Sequence, residues 1–215
     1  VDLPGMGGSK SISPYTLDNI AKEIKANMRL KRCNILGWSL GGQVAMYLAI
    51  KMPEFVKKLI LMSTTPCFVE KMDWPYGVKK QFFSNFEMEA KKNLNNTLMK
   101  FFIIQTMSIN DSKKVMSFLR KTFIEFRDIN KSGMESALNV LKKTDLRNEV
   151  KKIDKLTLII TGDKDRLTNI KASVWLNAKI KESSLKEVKG ANHMPFISHR
   201  ETVTASVKEF LQNDQ

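Results

Sequence analysis

The stretch Gly37-Trp38-Ser39-Leu40-Gly41 sets a serine between two glycines in the spacing G-x-S-x-G, which suits a nucleophile. On a sharp strand-to-helix turn, a strained backbone would project the Ser39 hydroxyl above a sheet. Gly37 and Gly41, two before and two after it, would let strand and helix approach closely. The N–H of Leu40 would then lie at a helix N-terminus and face a developing oxyanion. A serine hydroxyl is a poor nucleophile until a base takes its proton. Imidazole titrates in the right range, and a carboxylate behind it fixes its tautomer and stabilises the imidazolium. The chain offers two histidines, His193 and His199. His193 lies in a loop after a predicted strand, whereas His199 opens the last predicted helix, so His193 is the expected base. For the acid, Asp163 and Asp165 compete just past another strand, with Asp145 third. Asp165, three residues after Gly162, is the expected partner. Ser39, Asp165 and His193 thus follow three strand ends, where reaction groups gather in open α/β sheets, in the order serine, acid, histidine.

Positioning these groups requires alternating strands and helices. Residues 33–36 form a short apolar run of strand length, followed past Ser39 by a helix with Val44 and Leu48 on its buried face and Pro53 at its end. Before them, Pro14 and Thr16 start a helix whose apolar positions Leu17, Ile20, Ala21, Ile24 and Met28 keep helical spacing. Residues 1–3 read as the end of a strand that enters the glycine-rich loop 4–13. That loop is neither a P-loop nor a dinucleotide fingerprint, since no glycine directly precedes Lys10 and the third glycine is missing. Strands are predicted at 56–62, 156–161 and 185–188, and helices at 170–180 and over the closing stretch that uses Val203, Val207, Phe210 and Leu211. This alternation implies an α/β fold with a mostly parallel sheet covered on both faces.

Between 68 and 144 the pattern is helical throughout. Two helices meet near 93–96. Val115, Phe118, Leu119, Thr122, Phe123 and Phe126 make one apolar stripe, and Met134, Ala137, Leu138 and Leu141 another. An all-helical block inserted between two strands is the usual form of a lid. The expected division is therefore a core at 1–67 and 145–215 with a helical lid at 68–144.

Composition narrows the function. At 215 residues, 42% hydrophobic and 27% charged, the chain can bury the core of one soluble domain. No apolar run approaches transmembrane length and no signal peptide is visible, so neither a membrane nor secretion is expected. Cys33 and Cys67 suit a reducing cytosol as two small buried residues. No Cys/His cluster suggests a metal, and no cofactor is expected. The net charge of +14 invites a nucleic-acid reading. However, the excess is mostly scattered lysine, with no aromatic-interleaved basic motif, so no nucleic acid is expected.

On several motifs the chain resembles the pimeloyl-[acyl-carrier protein] methyl ester esterases of biotin synthesis, within the α/β-hydrolases. The turn Asp2-Leu3-Pro4-Gly5 and the segment Leu36-Gly37-Trp38-Ser39-Leu40-Gly41-Gly42 are common to the whole superfamily. Leu141-Lys142-Lys143-Thr144-Asp145-Leu146-Arg147 matches as well, and more particular are Pro66-Cys67-Phe68 with Trp74-Pro75, Gln105-Thr106-Met107, and Pro195-Phe196-Ile197-Ser198-His199 after His193-Met194. The resemblance implies an α/β-hydrolase fold with a helical lid. It carries Ser39 as nucleophile, Asp165 as acid, His193 as base and Leu40 as one oxyanion donor onto matching positions. It also implies hydrolysis of the methyl ester of pimeloyl-acyl-carrier protein. The enzyme is expected to be a cytoplasmic monomer. The family's first strands, and the His-Gly-aromatic loop with its second oxyanion donor, have no counterpart here. The N-terminal strands are thus expected to be missing from the chain as given.

An acidic carrier protein is the expected partner. On the helix expected over 112–126, Lys113, Arg120 and Arg127 recur every seven residues on the side away from the apolar stripe. A solvated helix face is the plain reading of such charges in a lysine-rich chain. The resemblance puts basic lid residues at the carrier's contact surface, which makes them a docking face. The alternatives are a general carboxylesterase or carbon–carbon-bond hydrolase with the same triad, and a hydrolase-like binding protein that has lost its chemistry.

Overall fold

The computed structural model describes residues 1–106, 115, 117, 119, 121 and 130–213. Among these residues, four parallel strands form the sheet in the order β1 (Cys33–Trp38), β2 (Val56–Met62), β3 (Thr157–Gly162) and β4 (Ser183–Val188). The two central strands are almost wholly buried, as expected for parallel strands covered on both faces. Successive residues of β2 point to opposite sides. Leu59 and Leu61 join one core with Ile159 of β3, while Ile60 and Met62 join another with Leu158 and Ile160.

The first core is roofed by α1 (Leu17–Asn27), α2 (Leu40–Lys51) and α6 (Ile170–Lys179), through Ile20 and Ala21, Val44 and Leu48, and Leu176. The second lies under α8 (Arg200–Gln212), which contributes Val203, with Val207, Phe210 and Leu211 packed against it. The short helix α7 (Pro195–Ser198) leads into α8. The α1 helix starts at Thr16, whose hydroxyl accepts the Asn19 N–H at 3.2 Å, so Pro14 stands outside it. Residues 1–3 form no strand, contrary to the reading from sequence. Asp2 instead folds back on the glycine loop: its carboxylate accepts the Gly8 N–H at 3.1 Å and its carbonyl the Ser9 hydroxyl at 2.9 Å.

Between β2 and β3 the described chain runs through α3 (Lys80–Lys92), α4 (Leu94–Thr106) and α5 (Lys131–Lys143). The joint between α3 and α4 falls at Asn93, inside the stretch where two helices were expected to meet. There the Asn93 carboxamide oxygen accepts the Asn96 N–H at 3.0 Å. Of the apolar stripe expected before α5, only Val115 and Leu119 are described, and Leu119 is buried. Lys113, Arg120 and Arg127 lie outside the described residues.

The inserted segment leaves and rejoins the core at one place. Cys67 and Asp145 form an antiparallel bridge, and the Leu146 N–H donates to the Pro66 carbonyl at 2.9 Å. Around this neck the Asp145 carboxylate takes Arg147 and Lys71, and the Arg147 guanidinium lies over the Trp74 ring. Bonding from Arg147 first, and from Lys71, holds the Asp145 carboxyl well below the usual carboxylate range against its partial burial. Burial pushes the Cys67 thiol up to about 11, so Cys67 is a buried structural thiol. Cys33, expected to be buried, is only half-buried on β1. Among the described residues no helix is long and apolar enough to cross a membrane.

Candidate active site

Ser39 sits between the end of β1 and the first residue of α2, with φ 55° and ψ −119°. A left-handed φ on a non-glycine residue is strained and persists only where the surroundings hold it. Here they hold it from both sides. The Ser39 N–H donates to the Met62 carbonyl at 3.1 Å, and its carbonyl accepts the Thr64 hydroxyl at 2.7 Å and the Gly42 N–H at 2.9 Å.

The close approach around the turn rests on Gly37, as read in the motif, and on Gly42 in place of Gly41. A Cβ on Gly37 would fall 2.3 Å from the Gly41 carbonyl oxygen, and one on Gly42 would fall 2.5 Å from the Thr64 side chain. A Cβ on Gly41 would meet nothing within 4 Å. Gly37 lets the end of β1 lie against the first turn of α2, and Gly42 lets that turn lie against Thr64, just past β2.

The structure brings Ser39, His193 and Asp165 together. The His193 Nε2 lies 3.1 Å from the Ser39 Oγ, and its Nδ1 lies 2.8 Å from an Asp165 carboxylate oxygen. Both His193 and Asp165 are buried. Burial alone would raise the Asp165 carboxyl, but His193 and the bonds from Thr168 outweigh it and leave it below its ordinary value. Thr168 donates its hydroxyl at 2.5 Å and its N–H at 3.0 Å, and the Leu167 N–H donates at 2.8 Å. A carboxylate saturated in this way stays ionised and orients the imidazole.

The other acids are committed elsewhere. Asp163 is exposed and accepts the Gly190 N–H at 2.6 Å, which closes the β4 loop, while Asp145 belongs to the neck. His199 stands just before α8, and its ring pairs with the Ser198 hydroxyl at 2.8 Å. Leu40 opens α2 next to Ser39, at the partially positive end of the helix.

Three supporting groups escaped the reading from sequence. Thr168 is one, and its signal, a threonine three residues after an aspartate, is a local pattern that could have been found. The indole N–H of Trp38 donates to the His193 carbonyl at 2.8 Å, and the amide of Asn192 donates to the Gln105 carbonyl at 3.0 Å. Both join residues far apart in the chain, so no local pattern announces them.

Ser39 and His193 open onto a cavity of about 660 Å³, whose inserted-helix wall includes Phe83, Phe86, Leu98, Phe101, Met134 and Leu138. This wall is apolar, which suits an acyl chain. A serine hydroxyl, an imidazole and a carboxylate in line at the margin of the cavity are the groups that acyl transfer to water requires.

Comparisons with known proteins identify the family. A family model for the alpha/beta hydrolase fold matches residues 1–200. The pimeloyl-[acyl-carrier protein] methyl ester esterase of Nitrosomonas europaea is 33% identical over 201 residues, covering 94% of this chain and 79% of that protein. The esterase of the same name from Wigglesworthia glossinidia brevipalpis is 34% identical over 215 residues, covering 99% and 82%. Among solved structures, an esterase from Exiguobacterium antarcticum superposes with a TM-score of 0.88 at 24% identity, over 99% of this chain and 80% of that one. An enol-lactonase from Burkholderia xenovorans LB400 does so with 0.83 at 20%, over 99% and 79%. At such identities the two structures speak to the fold alone.

Proposed function

Because the chain belongs to the α/β-hydrolase family, and within it to the pimeloyl-[acyl-carrier protein] methyl ester esterases, we propose that it hydrolyses the methyl ester of pimeloyl-acyl-carrier protein through Ser39, His193 and Asp165. The observation that carries this reading is the relay from Ser39 through His193 to Asp165 at the edge of an apolar cavity. The Ser39 Oγ attacks the ester carbonyl while His193 Nε2 takes its proton. The Leu40 N–H stabilises the oxyanion. As the tetrahedral intermediate collapses, His193 returns the proton to the departing methoxy oxygen and methanol leaves. A water then gives its proton to His193 and attacks the acyl-enzyme. Ser39 recovers its proton, and the product leaves as a carboxylic acid that ionises at neutral pH.

The inserted segment 68–144 serves as a lid over the acyl chain, a reading supported by the aromatic wall that α3, α4 and α5 give the cavity. Lys113, Arg120 and Arg127 form the docking face for the acidic carrier, supported by their seven-residue recurrence in the sequence. The enzyme works in the cytoplasm, which suits its two free cysteines.

The test is hydrolysis of pimeloyl methyl ester linked to acyl-carrier protein, followed by methanol release, against a short nitrophenyl ester. Turnover of the carrier-linked ester that disappears in Ser39→Ala is the expected result. Turnover of the nitrophenyl ester alone would reduce the protein to a general carboxylesterase.

A further inference from the structure

Helix α4 reaches the loop that carries His193 at two points. The Phe101 ring stands edge-on to the His193 imidazole, with centroids 6.3 Å apart and planes at 85°. One turn later, the Gln105 carbonyl accepts the 3.0 Å hydrogen bond from Asn192, the residue before His193. Phe101 and Gln105 are four residues apart and so share one face of the helix. Gln105 and Asn192 are both buried.

His193 is thereby held from two directions. From the core, Trp38 donates to its carbonyl and Asp165 holds its Nδ1. From the inserted helices, α4 holds the preceding residue and the ring edge. If α4 lifts to admit a substrate, the Asn192 amide loses its partner in a buried place, which is costly and loosens the loop.

We propose that Asn192 is a positioning residue through which α4 sets the place of His193, so that Ser39 is fully activated only when α4 is seated over the cavity. This rests on the esterase reading above. It makes chemistry conditional on closure, which keeps water from the site until the substrate is enclosed. Small displacements of a base are enough for such control, since near-attack geometry is sensitive to shifts of about 1 Å.

The test compares Asn192→Leu, similar in size but without a donor, with the parent chain. One measurement is the steady-state hydrolysis of a short methyl ester. The other is the rate at which a fluorophosphonate probe labels Ser39. Asn192→Leu is expected to lower kcat about tenfold with KM changed less than about twofold, and to slow labelling by a similar factor. Phe101→Leu, which withdraws the ring edge from His193, should also lower kcat. The double variant should lose little more than the larger single loss, because both act through one element. A kcat within twofold of the parent in Asn192→Leu overturns the proposal, even if the melting temperature falls, since the residue is then only structural. Multiplying losses in the double variant overturn it as well. If Asn192→Leu fails to fold, Phe101→Leu decides alone, and an unchanged kcat overturns the proposal. A parent that neither cleaves esters nor takes up the probe at Ser39 overturns the esterase reading and this one with it.

Discussion

At the scale of single residues, the site depends on three groups whose neighbours leave each of them one task. Ser39→Ala and His193→Ala should each lower esterase activity by about 10⁴ to 10⁶. Circular dichroism should show the fold retained, since neither side chain anchors a core. The acids separate by their partners. Asp165→Asn should cost about 10⁴ in kcat, because an amide favours the wrong imidazole tautomer. Asp163→Asn should change kcat by less than tenfold, since that carboxylate only closes a loop through the Gly190 N–H. A larger loss at Asp163 would reverse the assignment. The choice between them was open in the sequence, where both follow the same strand. In the structure Asp165 lies against His193 and Asp163 is exposed, which favours Asp165.

At the scale of elements, the turn between β1 and α2 and the neck of the inserted helices decide whether these residues meet. Gly37→Ala forces a Cβ onto the Gly41 carbonyl oxygen and should lose about 1–3 kcal/mol or more. Gly41→Ala meets open space and should hold or raise the melting temperature, because alanine is better than glycine in a helix by roughly 0.5–1 kcal/mol. Thermal melts of the two variants check this contrast, and equal destabilisation would refute it. At the neck, Arg147 and Lys71 hold the Asp145 carboxyl below its unfolded value. A carboxyl lowered on folding adds stability that is present above its unfolded pKa, about 4, and is lost as pH falls below it. Asp145→Asn should therefore be less stable than the parent at pH 7. Its stability should also fall less steeply below about pH 4, as urea melts at several pH values would record.

For the whole molecule, the net charge of +14 gives a long-range attraction for acidic partners that salt weakens. Charge reversal at Lys113, Arg120 and Arg127 should raise KM for a carrier-linked ester and leave a small methyl ester almost unchanged. Added salt should imitate it on the parent. Equal effects on both substrates would return these residues to an ordinary solvated face. The sequence by itself determined the alternation of strands and helices, the serine turn, the chain order of the reacting groups and the helical insertion. Each of these is written in local spacing: apolar periods, a G-x-S-x-G turn, polar residues just past a strand. Only the tertiary structure decided which aspartate faces His193 and which glycines carry the close approach around the turn. It alone showed that Asp2 folds back on the glycine loop, that Trp38 bonds the His193 carbonyl and that Asn192 bonds the Gln105 carbonyl of α4. The reason is distance along the chain. Trp38 and His193 are 155 residues apart and Asn192 and Gln105 are 87 apart, and no periodicity in the sequence spans such gaps. They meet because the parallel sheet gathers its strand ends on one side and the inserted helices close over them.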